Sequence, residues 1–103
     1  MIIAGYGFVG KAQELLFKNF RREIVIHDPP KDLYADFNNT SAVVVCVPTP
    51  QSKDGTCDIS AVHNVISLCN ETTPILIKST ISLQGWQELK ETFPNHKLCF
   101  SPE

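Results

Sequence analysis

Two rhythms of apolar and polar positions alternate along this chain. Short β-rich runs occupy Met1 to Ala4, Ile24 to His27, Ala42 to Val47, Ile75 to Lys78 and Leu98 to Phe100. Between them lie segments of helical period, Phe8 to Phe20, Ile59 to Cys69 and Leu83 to Phe93. Strands that alternate with helices predict βαβ units and a parallel sheet. Val43, Val44 and Val45 form an apolar run with no polar alternate, as a strand covered on both faces requires, so this strand is expected at the centre.

The helices carry their own start and stop signals. Asp58 is an N-cap candidate ahead of Ile59, Val62, Ile66 and Cys69, which recur at steps of three and four and form a stripe facing the sheet. Ser82 can cap the third helix, where Trp86, Leu89 and Phe93 make the buried stripe and Pro94 with Asn95 enforces the stop. Gly85 costs that helix about 1 kcal/mol relative to alanine. The loop-rich stretches are Pro29 to Ser41 and Pro48 to Asp58, the second carrying the turn signal Asp54-Gly55. The first is too short for a full helix-strand-helix passage, which predicts a reduced connection.

With 103 residues and 43% apolar content, the sequence suits one core. A net charge of -2 gives no basic stripe, so nucleic acid is not an expected partner. No apolar run approaches the roughly 20 residues that span a bilayer, and the first residues lead into a glycine turn, so a cytoplasmic protein with no membrane contact is expected. Cys46, Cys57, Cys69 and Cys99 lack the close pairing of zinc sites; Cys46, Cys69 and Cys99 read as core thiols and Cys57 as the exposed one. His27, His63 and His96 have no metal spacing and read as solvent-facing or capped. Arg21, Arg22 and Glu23 form a short solvated cluster at a helix end.

Gly5-Tyr6-Gly7-Phe8-Val9-Gly10 matches G-x-G-x-x-G directly after a strand and at the opening of a helix, the context a dinucleotide diphosphate needs. Gly5 permits the tight turn, Gly7 lets the diphosphate approach the backbone, and Gly10 lets helix and sheet pack closely. Amide groups at the helix start then hold the phosphate charge. An ordinary glycine turn can share these letters, so the second element matters. Asp28 ends the second strand and follows Gly10 by 18 residues, near the spacing of the acid that accepts hydrogen bonds from the adenosine ribose. Such a carboxylate repels a 2′-phosphate and favours NAD over NADP, while Lys31 nearby weakens the preference. Read blandly, Asp28 is a turn residue before Pro29-Pro30.

Other polar residues gather after the strands, at Pro48-Thr49-Pro50, Ser79-Thr80 and Ser101-Pro102-Glu103. Open parallel sheets bind ligands at their strand carboxyl ends. Thr49, Ser79 and Thr80 supply hydroxyls there, and Lys78 and Glu103 supply opposite charges; Ser79 reads equally well as a helix cap.

In these residues the chain resembles the N-terminal NAD-binding domain of the UDP-glucose/GDP-mannose dehydrogenase family. The glycine loop GYGFVG, the strand and turn Val43 to Pro50, Lys78-Ser79-Thr80 and Ser101-Pro102-Glu103 occur in the family's order and span nearly the whole chain. The resemblance implies an α/β three-layer Rossmann-type sandwich with five parallel strands in the order 2-1-3-4-5 and a crevice between the first and third strands. It implies two-step, NAD-dependent oxidation of a nucleotide-sugar 6-hydroxyl to the uronate. By the same resemblance, Gly5 to Gly10 and Asp28 hold the cofactor, Val47, Pro48, Thr49 and Pro50 line its path, and Ser79 and Thr80 flank it. Thr80 is implied to position water or substrate, and Glu103 to act in acid-base chemistry. The family's nucleophilic cysteine and substrate domain have no counterpart among residues 1–103, so cofactor binding without turnover is expected. An apolar patch left by that absent domain would favour a homodimer. Two other readings remain: a stand-alone, non-catalytic NAD-binding or regulatory module, and an S-adenosylmethionine methyltransferase, which shares the glycine loop and acid but lacks VPTP and KST.

Overall fold

A computed structural model describes residues 1–20, 23–51, 53 and 57–101. The elements run β1 (Ile2–Ala4), α1 (Phe8–Lys18), β2 (Val25–His27), two single 3-10 turns (Pro29–Lys31 and Phe37–Asn39), β3 (Val43–Val45), α2 (Ser60–Leu68), β4 (Pro74–Ile77), α3 (Leu83–Thr92) and β5 (Lys97–Phe100). The five strands form one parallel sheet in the order β2-β1-β3-β4-β5, so the fold is an α/β sandwich of Rossmann type. β3 occupies the middle position and all three of its valines are buried.

The strand period of two divides the sheet into unlike faces. Ile2, Ala4, Val43, Val45, Ile75 and Ile77 join Val62, Val65 and Ile66 of α2 and Leu89 of α3 in the core cluster. Val65 belongs to the α2 stripe although the expected stripe omitted it; steps 62, 65, 66 and 69 define the buried face. The opposite face is covered by α1, whose Gly10 lies against Ile3. Past α1 this face is a shallow apolar groove of about 360 Å³, with Phe17, Val44, Leu76 and Cys99 among its walls.

That asymmetry corrects one cysteine assignment. Cys99 is exposed, not a core thiol, because β5 is an edge strand and its residues alternate: Leu98 and Phe100 pack on the core while Cys99 faces the side that α1 covers only in part. Cys69 is buried, with its thiol pushed up to about 11 by desolvation, and Cys46 and Cys57 are half-buried. His27 is also not solvent-facing. It is 8% exposed, meets Phe37 and Tyr34 edge to face, and accepts the Ala35 N–H at Nδ1 over 3.1 Å. Trp86 stacks on Phe100 with ring centroids 5.4 Å apart, as a core residue should.

Helix starts follow the capping expectations with one shift of register. Ser82 caps α3, accepting the Gly85 N–H at 3.0 Å. Asp58 stands one residue further out than predicted: α2 begins at Ser60, and Asp58 accepts both the Ser60 N–H (2.9 Å) and hydroxyl (2.7 Å). These bonds, the hydroxyl's first, hold the Asp58 carboxyl below its ordinary pKa. The Asp54-Gly55 turn and the Arg21-Arg22 pair lie outside the described residues. Among the described residues no helix is long and apolar enough to cross a membrane.

Candidate functional site

Parallel strands deliver their carboxyl ends to one edge of the sheet, and main-chain bonds continue the ladder past the strands themselves. Gly5 N–H donates to His27 C=O (2.7 Å), Cys46 N–H to Ala4 C=O (2.7 Å), Lys78 N–H to Val45 C=O (2.8 Å) and Ser101 N–H to Ile77 C=O (2.9 Å). The exits are thereby fixed side by side. Over them opens a cleft of about 550 Å³, within the range of small-molecule sites.

The glycine loop forms its floor. Gly5 has φ +96°, a left-handed conformation that favours glycine, and a Cβ there would stand 2.7 Å from the Cys46 and Val47 backbone. Gly10 is buried, and its Cβ would lie 2.0 Å from the Gly5 carbonyl oxygen; it sets the approach of α1 to β1 and does not line the cleft. Gly7 is different. It is exposed, with extended φ -91° and ψ -154°, and among the described residues nothing beyond its chain neighbours lies within 4 Å of the position its Cβ would take. Gly7 is also the N-cap of α1, and among the described residues no side chain caps that helix start. Its first amides are left to whatever enters the cleft. Tyr6, Phe8 and Val9 line the same floor, and the Phe8 side chain is 97% exposed.

Asp28 bounds the cleft at the β2 exit and does more than face it. Its Oδ2 accepts the Tyr6 N–H at 3.0 Å, while Lys31 Nζ donates to the Tyr6 C=O at 2.6 Å. The turn after β2 therefore holds the glycine loop by both polar atoms of one residue. Lys31 and Lys11 also lie 5.4 Å and 5.5 Å from the Tyr6 ring centroid. The phenol donates to Glu14 Oε1 at 2.7 Å, a bond that favours the neutral form and raises its pKa. This clamp was missed as such: Lys31 read only as a charge near Asp28.

From β3 and β4 the cleft takes Val47, Pro48, Thr49, Ser79 and Thr80, together with Cys46 and Lys78. Pro50 does not reach it. Two of the predicted hydroxyls are already spent on backbone. Thr49 donates to the Thr80 C=O at 2.5 Å, and Ser79, 6% exposed, donates to the Val47 C=O at 2.7 Å. Both stitch the β3 exit to the β4 exit, and Cys57 adds to the seam with its thiol 3.4 Å from Thr49 C=O and 3.5 Å from Thr80 C=O. Thr80 itself is exposed. Lys78 Nζ reaches Ser101 Oγ at 3.4 Å, bringing the β5 exit beside the cleft. Pro102 and Glu103 lie outside the described residues.

A narrower slot of about 280 Å³ adjoins the cleft and shares Asp28, Pro30, Val47 and Pro48 with it. Its outer walls are Pro29 on one side and Ala61, Asn64, Val65 and Leu68 of α2 on the other. The short connection after β2 thus leaves a mainly apolar space beside α2 instead of filling it. No cluster of metal-ligating side chains occurs among the described residues. No protein-family model matches the chain, and no curated protein matches it.

Proposed function

We propose that the chain binds NAD across the strand exits, as the cofactor-binding part of a nucleotide-sugar 6-dehydrogenase. One observation carries the reading: Gly7 opens onto empty space at the uncapped start of α1, with the Asp28 carboxylate at the end of the neighbouring strand. A diphosphate fits there because the amides of the first helical turn need acceptors and no side chain of the described residues intrudes. Lys31 and Lys78 line the same cleft and offset the phosphate charge. Oδ2 of Asp28 is engaged by the loop, and Oδ1, which takes no hydrogen bond among the described residues, serves the ribose hydroxyls. The adenine lies toward the slot between Pro29-Pro30 and α2, and the nicotinamide toward Thr49 and Thr80.

When bound, the dinucleotide supplies a hydride acceptor. The chain's own residues orient it: the seam of Thr49, Ser79 and Cys57 fixes the two strand exits against which the nicotinamide end rests. Thr80, exposed beside that seam, positions water or the sugar hydroxyl, and Glu103 supplies the acid-base group in the complete enzyme. Residues 1–103 hold cofactor without turnover, because none of the four cysteines stands in the family's nucleophile motif.

Calorimetric titration with NAD and NADP tests this. NAD binds saturably and NADP more weakly, and Asp28→Ala narrows the gap between them. Absence of saturable binding for both dinucleotides refutes the proposal.

A further inference from the structure

We infer that Asn64 reads the nucleobase and makes the slot selective for adenine. The inference rests on the dinucleotide reading above and goes beyond it by naming the residue that discriminates between bases. Ala61, Asn64, Val65 and Leu68 follow one another at helical steps of three, one and three, so they share the face of α2 that borders the slot. Three of the four are apolar. Opposite them stand the rings of Pro29 and Pro30, which suit the faces of a flat aromatic ring. Such walls hold any purine alike and cannot tell one from another.

The edge of the base needs a polar partner, and the slot offers few. His27 spends Nδ1 on the Ala35 N–H, and it is 8% exposed with its ring packed edge to face against Phe37 and Tyr34, so it offers the slot little polar surface. Asp28 is tied to the glycine loop and belongs to the ribose end. Asn64 remains: it is exposed, and its side-chain amide makes no hydrogen bond among the described residues. An asparagine amide carries a donor and an acceptor side by side, the complement of the amino group and adjacent ring nitrogen of adenine. On the edge formed by the amino group and N7, which an asparagine pairs in bidentate fashion, hypoxanthine replaces the amino group by a carbonyl and presents two acceptors, of which one amide can satisfy only one.

The experiment compares NAD with nicotinamide hypoxanthine dinucleotide on the whole chain and on Asn64→Leu, which keeps the volume of the side chain at an exposed helical site. The wild type binds NAD about tenfold more tightly than the hypoxanthine analogue, within the discrimination expected of one bidentate pair. Asn64→Leu binds the two within about twofold of each other, with unchanged helical circular dichroism. If the variant keeps the wild-type ratio, or the wild type shows no preference, the assignment of Asn64 is overturned while NAD binding stands. If the wild type binds neither dinucleotide, both readings fall together.

Discussion

Replacing Gly7 by alanine separates ligand binding from folding more cleanly than any other change in this chain. The backbone at Gly7 is extended, with φ -91° and ψ -154°, and among the described residues no atom beyond its chain neighbours lies within 4 Å of the added Cβ, so the folded state accepts the methyl group without strain. Two small terms then oppose each other. Alanine restricts the unfolded chain, which stabilises by roughly 0.4–1 kcal/mol. As an N-cap it is poorer than glycine by a similar amount, roughly 0.5–1 kcal/mol. The net change lies within about 0.5 kcal/mol, a Tm shift of no more than about 4 °C for a domain of this size. Binding responds differently. A phosphate oxygen sits roughly 2.9 Å from the amide it accepts from, and the methyl group occupies the approach. Loss of one charge-assisted bond costs roughly 1.5–3 kcal/mol, which is about 10- to 150-fold in Kd. Thermal melts followed by NAD titration read both quantities. An unchanged Kd in Gly7→Ala refutes the placement of the diphosphate. The control is Gly10→Ala: with the Gly5 oxygen 2.0 Å from the new Cβ, backbone must move, and stability falls by roughly 1–3 kcal/mol or more.

Two further outcomes follow from buried groups. Burial lowers the pKa of His27, outweighing the opposing pull of Asp28. Its folded value therefore lies below the unfolded value near ~6.5, so its contribution to stability is complete above that pH and is lost as pH falls toward the folded value. Thermal melts from pH 8 to 5 show a declining Tm at the acid end, and His27→Gln flattens that decline; an equal slope in both proteins contradicts the account. Thiol labelling in the native state modifies Cys99 first and spares Cys69, whose burial pushes its pKa up to about 11. Equal labelling rates at the two positions refute the burial of Cys69 against the exposure of Cys99.

What the sequence made legible were features that depend on local spacing. The glycine loop, the acid after β2 and the apolar run Val43–Val45 each report a constraint that acts within a few residues, and the structure places all three where they were expected. What the sequence did not reveal are relations across the sheet. Thr49 and Ser79 have hydroxyls of the right kind in the right place, but the register that puts Val47 beside Ser79 and Thr80 beside Thr49 turns them into strand-exit links. Cys99 sits in an apolar word, yet being on an edge strand and on the thinly covered face exposes it. Lys31 looked like a neighbour of Asp28 and proves to be the second jaw of a grip on Tyr6, a relation between residues 25 positions apart. His27 ends a strand, but its burial is decided by Tyr34 and Phe37 from the loop that follows.

The convergence of the strand exits also makes ligand and fold answer to each other. The floor of the cleft comes from residues near Gly5 and its far wall from residues near Thr80, so no partly assembled chain presents the whole site. Any molecule held there recognises the finished sheet alone, and its binding energy is added to the native state as RT ln(1 + [L]/Kd), roughly 2.7 kcal/mol at a hundredfold excess over Kd. Against the roughly 5–15 kcal/mol by which native proteins are stable, an occupant of the crevice would add a sizeable share to the free energy of unfolding.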